Sequence, residues 1–316
     1  DEYSNVTVFR HYNSIPNRIC FYFPFLFNVN YYFLRKSLKS IVSKYVGKNV
    51  FVGTSHPYMY NGVLSSFQNV KTFYDCPDLH EEFPWANRDL SIKVERKLIE
   101  KVDIFTSSSN FISKIKFEQT QKTASVICNG VSLTDFQENS VDSSIKSKIG
   151  YVGALEDWFD YDLLTELVKN NSNLEFQIIG HIPKSKAELI KKMETTYQNI
   201  EFLGHIKHSQ LINYLSTWKI GIIPFKINKL IEGVSPIKLF EYCAMGIETV
   251  SVHWGELDHY RGYVHTARTL PEFTEMIRKL SDETPTAARV KELSNFAHKH
   301  SWENKTKLFV GILANG

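Results

Sequence analysis

Short apolar runs that end in small or polar turn residues alternate along this chain with longer stretches in which apolar positions return every three or four residues. The first rhythm marks buried strands and the second marks amphipathic helices. In the first half, strands are expected at 6–9, 49–53, 70–74, 103–106 and 125–128, with helices over 29–46, 58–67, 88–102 and 111–116. A polar, weakly patterned stretch follows at 136–148 and reads as a linker. The alternation then restarts, with strands at 148–155, 175–179, 200–203, 220–225 and 249–253 and helices at 162–169, 185–197, 209–218, 237–245 and 271–280. Alternation at this interval means parallel βαβ units, so the pattern predicts an α/β chain of two Rossmann-like halves.

Composition narrows this picture without redirecting it. At 316 residues the chain exceeds the usual size of a single core, and 43% hydrophobic with 22% charged residues is ordinary for a globular protein. A formal charge of +3 does not by itself point to nucleic acid. Cys20, Cys76, Cys128 and Cys243 form no CxxC pair, which argues against a disulfide framework or a zinc site and fits a reducing cytosol. No uninterrupted apolar run approaches the length of a membrane span, and no signal peptide is visible. The chain begins at Asp1 without a methionine, and its true N-terminus is expected upstream.

One stretch carries chemistry. Ser235-Pro236-Ile237-Lys238 leads from an apolar strand into a short helix that Gly246 closes, with Ser235 expected at the N-cap and Pro236 at the first helical position. A helix opening at the carboxyl end of a strand turns bare N–H groups and the positive end of its dipole toward a ligand, which suits an anion. Lys238 and Glu241 share a face of that helix. The lysine suits a diphosphate, and the carboxylate can accept from the hydroxyls of a ribose. An ordinary solvated Lys–Glu pair reads equally well from this pattern alone.

Over 29–48 the apolar residues Phe33, Leu34, Leu38, Ile41 and Val42 recur at helical spacing between Arg35, Lys36, Lys39, Lys44 and Lys48. The simpler reading is a sheet-packed helix with a solvated basic face; the other is peripheral contact with an anionic membrane.

The ordered motifs resemble the GT-B glycosyltransferases, particularly the glycosyltransferase family 4-like bacterial proteins of teichuronic-acid and capsular polysaccharide type. The matching pieces are Tyr74-Asp75-Cys76-x-Asp78, Glu95-x-x-Leu98, Thr106-Ser107-Ser108, Asn129-Gly130-Val131 and Tyr151-Val152-Gly153-Ala154. They continue with Ile178-Ile179-Gly180, Phe202-Leu203-Gly204 and Ser235-Pro236-x-Lys238-x-x-Glu241. The resemblance implies two Rossmann-like parallel-sheet domains facing a central cleft. Residues 1–138 would form an acceptor-binding domain lacking a recognisable first βα unit. Residues 139–300 would bind the nucleotide sugar, and 301–316 would be a helix crossing back to the first domain. It further implies that Gly153 lets the backbone approach the diphosphate and that Ser235, Pro236, Ile237 and Lys238 hold phosphates while Glu241 holds the ribose. Gly180 and His181 would border the donor sugar, and Gly204, His205 and Ile206 would lie against the base.

Glycosyl transfer by this scheme needs no metal and no cofactor beyond a UDP- or GDP-linked co-substrate. Lys238 and the helix terminus would stabilise the departing diphosphate. Asp75 and Asp78 are the candidates to take the acceptor proton, with His56 placed to contact donor or acceptor. Asp75 reads equally as a turn or cap residue. The family's Glu-x7-Glu pair is out of register, because Gly233 stands eight residues before Glu241 and Glu232 nine, so the stereochemical outcome stays open. The expected activity is transfer of a sugar to a glycan or lipid-linked glycan in bacterial surface polysaccharide synthesis, in the cytoplasm or at the inner membrane face. A sugar-nucleotide epimerase and a non-catalytic partner subunit are the rivals.

Overall fold

The computed structural model describes residues 7, 15–45, 49–59, 63–67, 70–136 and 146–315. The expected strand at 6–9 therefore lies outside the described residues apart from position 7, as do 137–145 of the expected linker and 46–48 of the basic segment. The chain forms two compact units, one comprising Asp1–Ser107, Ile112–Val126 and Ile312–Gly316, the other Ser108–Phe111 and Ile127–Gly311.

In chain order the early elements are α1 (Asn17–Tyr22), α2 (Phe27–Val42), β1 (Phe51–Thr54), β2 (Lys71–Cys76), α3 (Arg88–Lys101), β3 (Ile104–Ser107), α4 (Asn110–Thr120) and β4 (Ser125–Val126). The four strands make a parallel sheet in the order β1-β2-β3-β4. All four residues of β3 are buried, Thr106 and Ser107 included, as an inner strand covered on both faces requires. The Asn87 side chain caps α3 by accepting from the Leu90 N–H at 3.1 Å. The helix expected over 58–67 is absent among the described residues. Two short 3₁₀ turns, Pro57–Met59 and Leu64–Ser66, stand there instead, and 60–62 lie outside the description.

The later elements are β5 (Lys148–Val152), α5 (Tyr161–Asn170), β6 (Phe176–Ile179), α6 (Ala187–Thr196), β7 (Ile200–Gly204), α7 (His208–Leu215), β8 (Trp218–Ile223), α8 (Lys229–Glu232), α9 (Ile237–Ala244), β9 (Glu248–Val252), β10 (His265–Ala267), α10 (Leu270–Asp282), α11 (Ala287–Lys299) and α12 (Trp302–Asn315). Six parallel strands follow the order β10-β9-β8-β5-β6-β7. Strand succession runs outward in both directions from the β8–β5 pair. The crevice beyond the carboxyl ends of those two strands is therefore the topological switch point, where α/β sheets of this kind bind ligands. β8 stops at Ile223 rather than 225 because Pro224 cannot donate to the ladder.

Trp218, Tyr242 and Phe240 are fully buried in the core of the second unit. Tyr242 ties α9 to the sheet, its phenolic oxygen accepting from the Val152 N–H at 3.2 Å. Gly246 closes α9 with φ +59°, the left-handed conformation that suits glycine beyond a helix end.

Candidate functional site

From the switch point outward, three strand ends lie side by side. Gly153 follows β5, Gly180 follows β6 and Gly204 ends β7, and their backbones interlock: the Gly153 N–H donates to Ile179 O at 2.9 Å and the Gly180 N–H to Gly204 O at 2.8 Å. A Cβ on Gly180 would run into the carbonyl oxygen of Gly153. A Cβ on Gly153, where φ is +153°, would run into Cε of Lys238 and stand 2.7 Å from its Nζ. The floor of the crevice is thus bare backbone, and the Lys238 side chain lies across it.

Lys238 comes from the first turn of α9, and its ammonium sits 5.7 Å from the centroid of the Tyr151 ring. Burial pulls its pKa below the ordinary lysine value, and the neighbouring Glu241 carboxylate works against that shift. Glu241 is half-buried one turn deeper, so the helix brings the two side chains into one electrostatic neighbourhood. Pro236 stands at the N-cap with no side-chain cap, which leaves the first turn open to an anion. This corrects the expected cap. Ser235 does not cap α9; it is buried, accepting on Oγ from the Asn129 N–H at 3.1 Å and on its carbonyl from Asn129 Nδ2 at 2.8 Å. The Asn129-Gly130 turn, noted in the sequence without a contact assigned to it, therefore fixes the approach to α9.

The other residues expected to face a donor stand along the same strand ends. His181 and His205 are exposed, directly after Gly180 and Gly204, and Ile206 is partly buried against the core. The His181 carbonyl accepts from the Leu155 N–H at 3.4 Å, joining this edge to the loop after β5. Glu232 ends α8, nine residues before Glu241.

In the first unit, Asp75 lies inside β2 rather than beyond it. Its Oδ1 accepts from the Thr106 hydroxyl on β3 at 2.7 Å, so it is a strand residue and not a turn or cap. Asp78 is half-buried in the loop after β2, and burial raises its pKa above the ordinary aspartate value. His56 follows β1, and its pKa is pushed down to about 4, chiefly by burial and secondarily by His80. His80, which the sequence reading passed over, has its ring 6.0 Å from that of His56 and is likewise held near 4 by burial. Its Nε2 lies 3.1 Å from the Ser55 carbonyl oxygen, a bond in which the ring donates. Both imidazoles are therefore neutral at physiological pH and resist protonation.

Behind this strand end lies an ion cluster with no solvent exposure at its centre. Lys116 Nζ donates to both carboxylate oxygens of Glu81, at 2.8 and 2.7 Å, and to Glu95 Oε2 at 2.7 Å. Tyr74 OH and Cys76 Sγ donate to Glu95 Oε1 at 2.7 and 3.2 Å. Burial alone would discharge Lys116, but the two carboxylates outweigh it and keep the ammonium charged. In the sequence Glu95 stood out only as part of Glu95-x-x-Leu98, and Lys116, four residues after Ile112, falls on the same buried face of α4.

Residues 146–283 match the model of a family described as glycosyl transferases group 1. The chain is 23% identical over 206 residues to TuaH of Bacillus subtilis (strain 168), which is named as a teichuronic acid biosynthesis glycosyltransferase. That match takes in 58% of this chain, and the chain spans half the length of that relative. A crystal structure of a glycosyltransferase from Rickettsia africae ESF-5 superposes with a TM-score of 0.69 at 15% identity, over 98% of this chain and 84% of that one. The Anabaena protein Alr3699/HepE, solved in complex with UDP and glucose, gives 0.61 at 13% identity, over 78% and 72%. The chain thus has the fold of the GT-B glycosyltransferases and resembles them in sequence.

Proposed function

We propose that this chain is a glycosyltransferase that moves a sugar from a nucleoside diphosphate, UDP by preference, to a glycan or lipid-linked glycan acceptor in bacterial surface polysaccharide synthesis. The observation that carries this reading is the bare glycine floor at the switch point, crossed by Lys238 from the uncapped start of α9 with Glu241 one turn behind. Backbone N–H groups, a helix dipole and one ammonium are what a departing diphosphate needs, and they act without a metal. Glu241 would hold the ribose hydroxyls, Gly180 and His181 would border the sugar, and Gly204, His205 and Ile206 would meet the base. The UDP complex of HepE supports the choice of base, and the naming of TuaH supports the choice of pathway class. In this reading the reaction runs in the cytoplasm or at the inner face of the cytoplasmic membrane. On the acceptor side Asp75, Asp78 and His56 are the proposed proton acceptors. Of these, Asp78 is favoured, because burial raises its proton affinity, whereas His56, pushed down to about 4, is a weaker base than a free imidazole.

Calorimetric titration of the wild type and Glu241→Ala with UDP, GDP, CDP and dTDP tests the donor site. Micromolar binding of UDP, weakened at least about tenfold in the variant, is expected for a lost charge-assisted contact. Chelation with EDTA is expected to leave that binding unchanged. No binding of any of the four nucleotides would overturn the assignment and favour the non-catalytic subunit.

A further inference from the structure

From residue 3 to residue 74 the chain holds no Asp or Glu against eight Lys and Arg. Within that span α1, α2 and the turn between them carry apolar side chains on two faces. One face packs inward: Phe27 and Tyr31 are buried and stack at 5.7 Å, and Phe27 stacks on Tyr58 at 5.3 Å. The other face is exposed among the described residues. Tyr22 is 74% exposed, Phe25 67%, Phe23 55%, Tyr32 54%, Phe33 47% and Val29 41%. An exposed aromatic cluster of this density marks an interaction surface.

Charge decides what it meets. Immediately after the aromatic turns, Arg35 sits 5.6 Å over the Tyr32 ring, and Lys36, Lys39 and Lys44 are exposed. A groove of about 230 Å³ beside α2, lined by Asn28 and Tyr31, is rimmed from α3 by Lys93 and Lys97. A second copy of this face would bring like charges together, whereas aromatic rings flanked by lysines match an anionic lipid surface, with rings at the headgroup level and ammonium groups on the phosphates.

We infer that the aromatic segment 19–33 with its basic collar docks the chain on anionic bilayers, the rings entering the interface and the collar selecting the lipid. This relocates the membrane contact from the basic face of α2 to the aromatic turns before it. The inference deepens the membrane placement proposed above, and its test is independent of nucleotide binding.

The test is co-sedimentation of the full chain with vesicles of phosphatidylcholine alone or with one third phosphatidylglycerol. The probes are a Tyr22→Ser/Phe25→Ser/Phe33→Ser variant and a Lys36→Glu/Lys39→Glu variant. All these side chains are exposed, so circular dichroism and UDP titration without lipid should match the wild type in both. Wild type is expected to partition onto the phosphatidylglycerol vesicles at least about tenfold more strongly than onto phosphatidylcholine. The charge variant should lose that preference, and the aromatic variant should lose binding to both. Equal partitioning of wild type and aromatic variant would overturn the inference, as would a wild-type dimer by light scattering that the aromatic variant abolishes. Failure of UDP binding with intact vesicle binding would sink the donor reading and leave this one standing.

Discussion

Gly180 and Gly204 are neighbours along the strand ends, yet the structure gives them different reasons for being glycine. At Gly180 a Cβ collides with the backbone of Gly153, and nothing in a main chain can yield cheaply. Gly180→Ala should therefore cost on the order of 2–4 kcal/mol in urea unfolding. At Gly204 the space is open and only φ, +68°, disfavours a side chain, so Gly204→Ala should cost about 1 kcal/mol. The histidines make a separate prediction. His56 and His80 resist protonation down to about pH 4, whereas an unfolded histidine accepts a proton near 6.5. Between those values the unfolded chain binds more protons, so stability falls as pH drops from about 6.5 toward 4. His80→Gln should flatten that slope by about one proton in unfolding titrations across the window. Glu248 gives the opposite type of group. Burial alone would raise it, but hydrogen bonds from Arg289 and His265 outweigh burial and bring it down to about 2. Its contribution is full above about pH 4.5 and is lost as pH falls toward 2, so Glu248→Gln should destabilise at pH 7 and matter little at pH 2.

Elements differ in how far their residues announce them. α9 was legible because Ser-Pro, an apolar period and a terminal glycine agree with one another, and its lysine and glutamate stand where that helix puts them. The error there was local: which residue caps it depended on Asn129, far away in sequence, claiming Ser235. The segment after β1 misled for the opposite reason, since its apolar spacing suits a helix while Pro57 and the Asn61-Gly62 pair favour turns. The ion cluster was illegible, because three charged residues from separate elements read individually as solvated surface. Its energetics are testable at the same scale. Lys116→Met leaves two buried carboxylates without their cation and should destabilise the first unit by about 3–5 kcal/mol, seen by calorimetry as an earlier transition. A triple variant that also carries Glu81→Gln and Glu95→Gln should recover part of that loss.

On the scale of the whole molecule, strand–helix alternation was enough to foresee two parallel sheets, because parallel strands demand crossovers and crossovers leave a mark on the pattern. Strand order was not foreseeable from periodicity, and it is strand order that creates the switch point. The late elements α8 and β10 escaped because each is too brief to sustain a rhythm, while α11 was passed over although Leu293, Phe296 and Ala297 recur on its buried face. The aromatic turns before α2 escaped as a surface, since aromatic residues in a sequence read first as core.

The glycine floor carries a consequence for how such a chain can change over evolutionary time. A site whose base is main chain offers no side chain there to vary, and every substitution at Gly153 or Gly180 meets a neighbour before it meets a ligand. Divergence in what the crevice accepts must therefore be written at its exposed margin, in His181 and His205, while the floor stays fixed. Under the proposed donor assignment, a library aimed at new donor sugars would start at His181 and one aimed at new bases at His205.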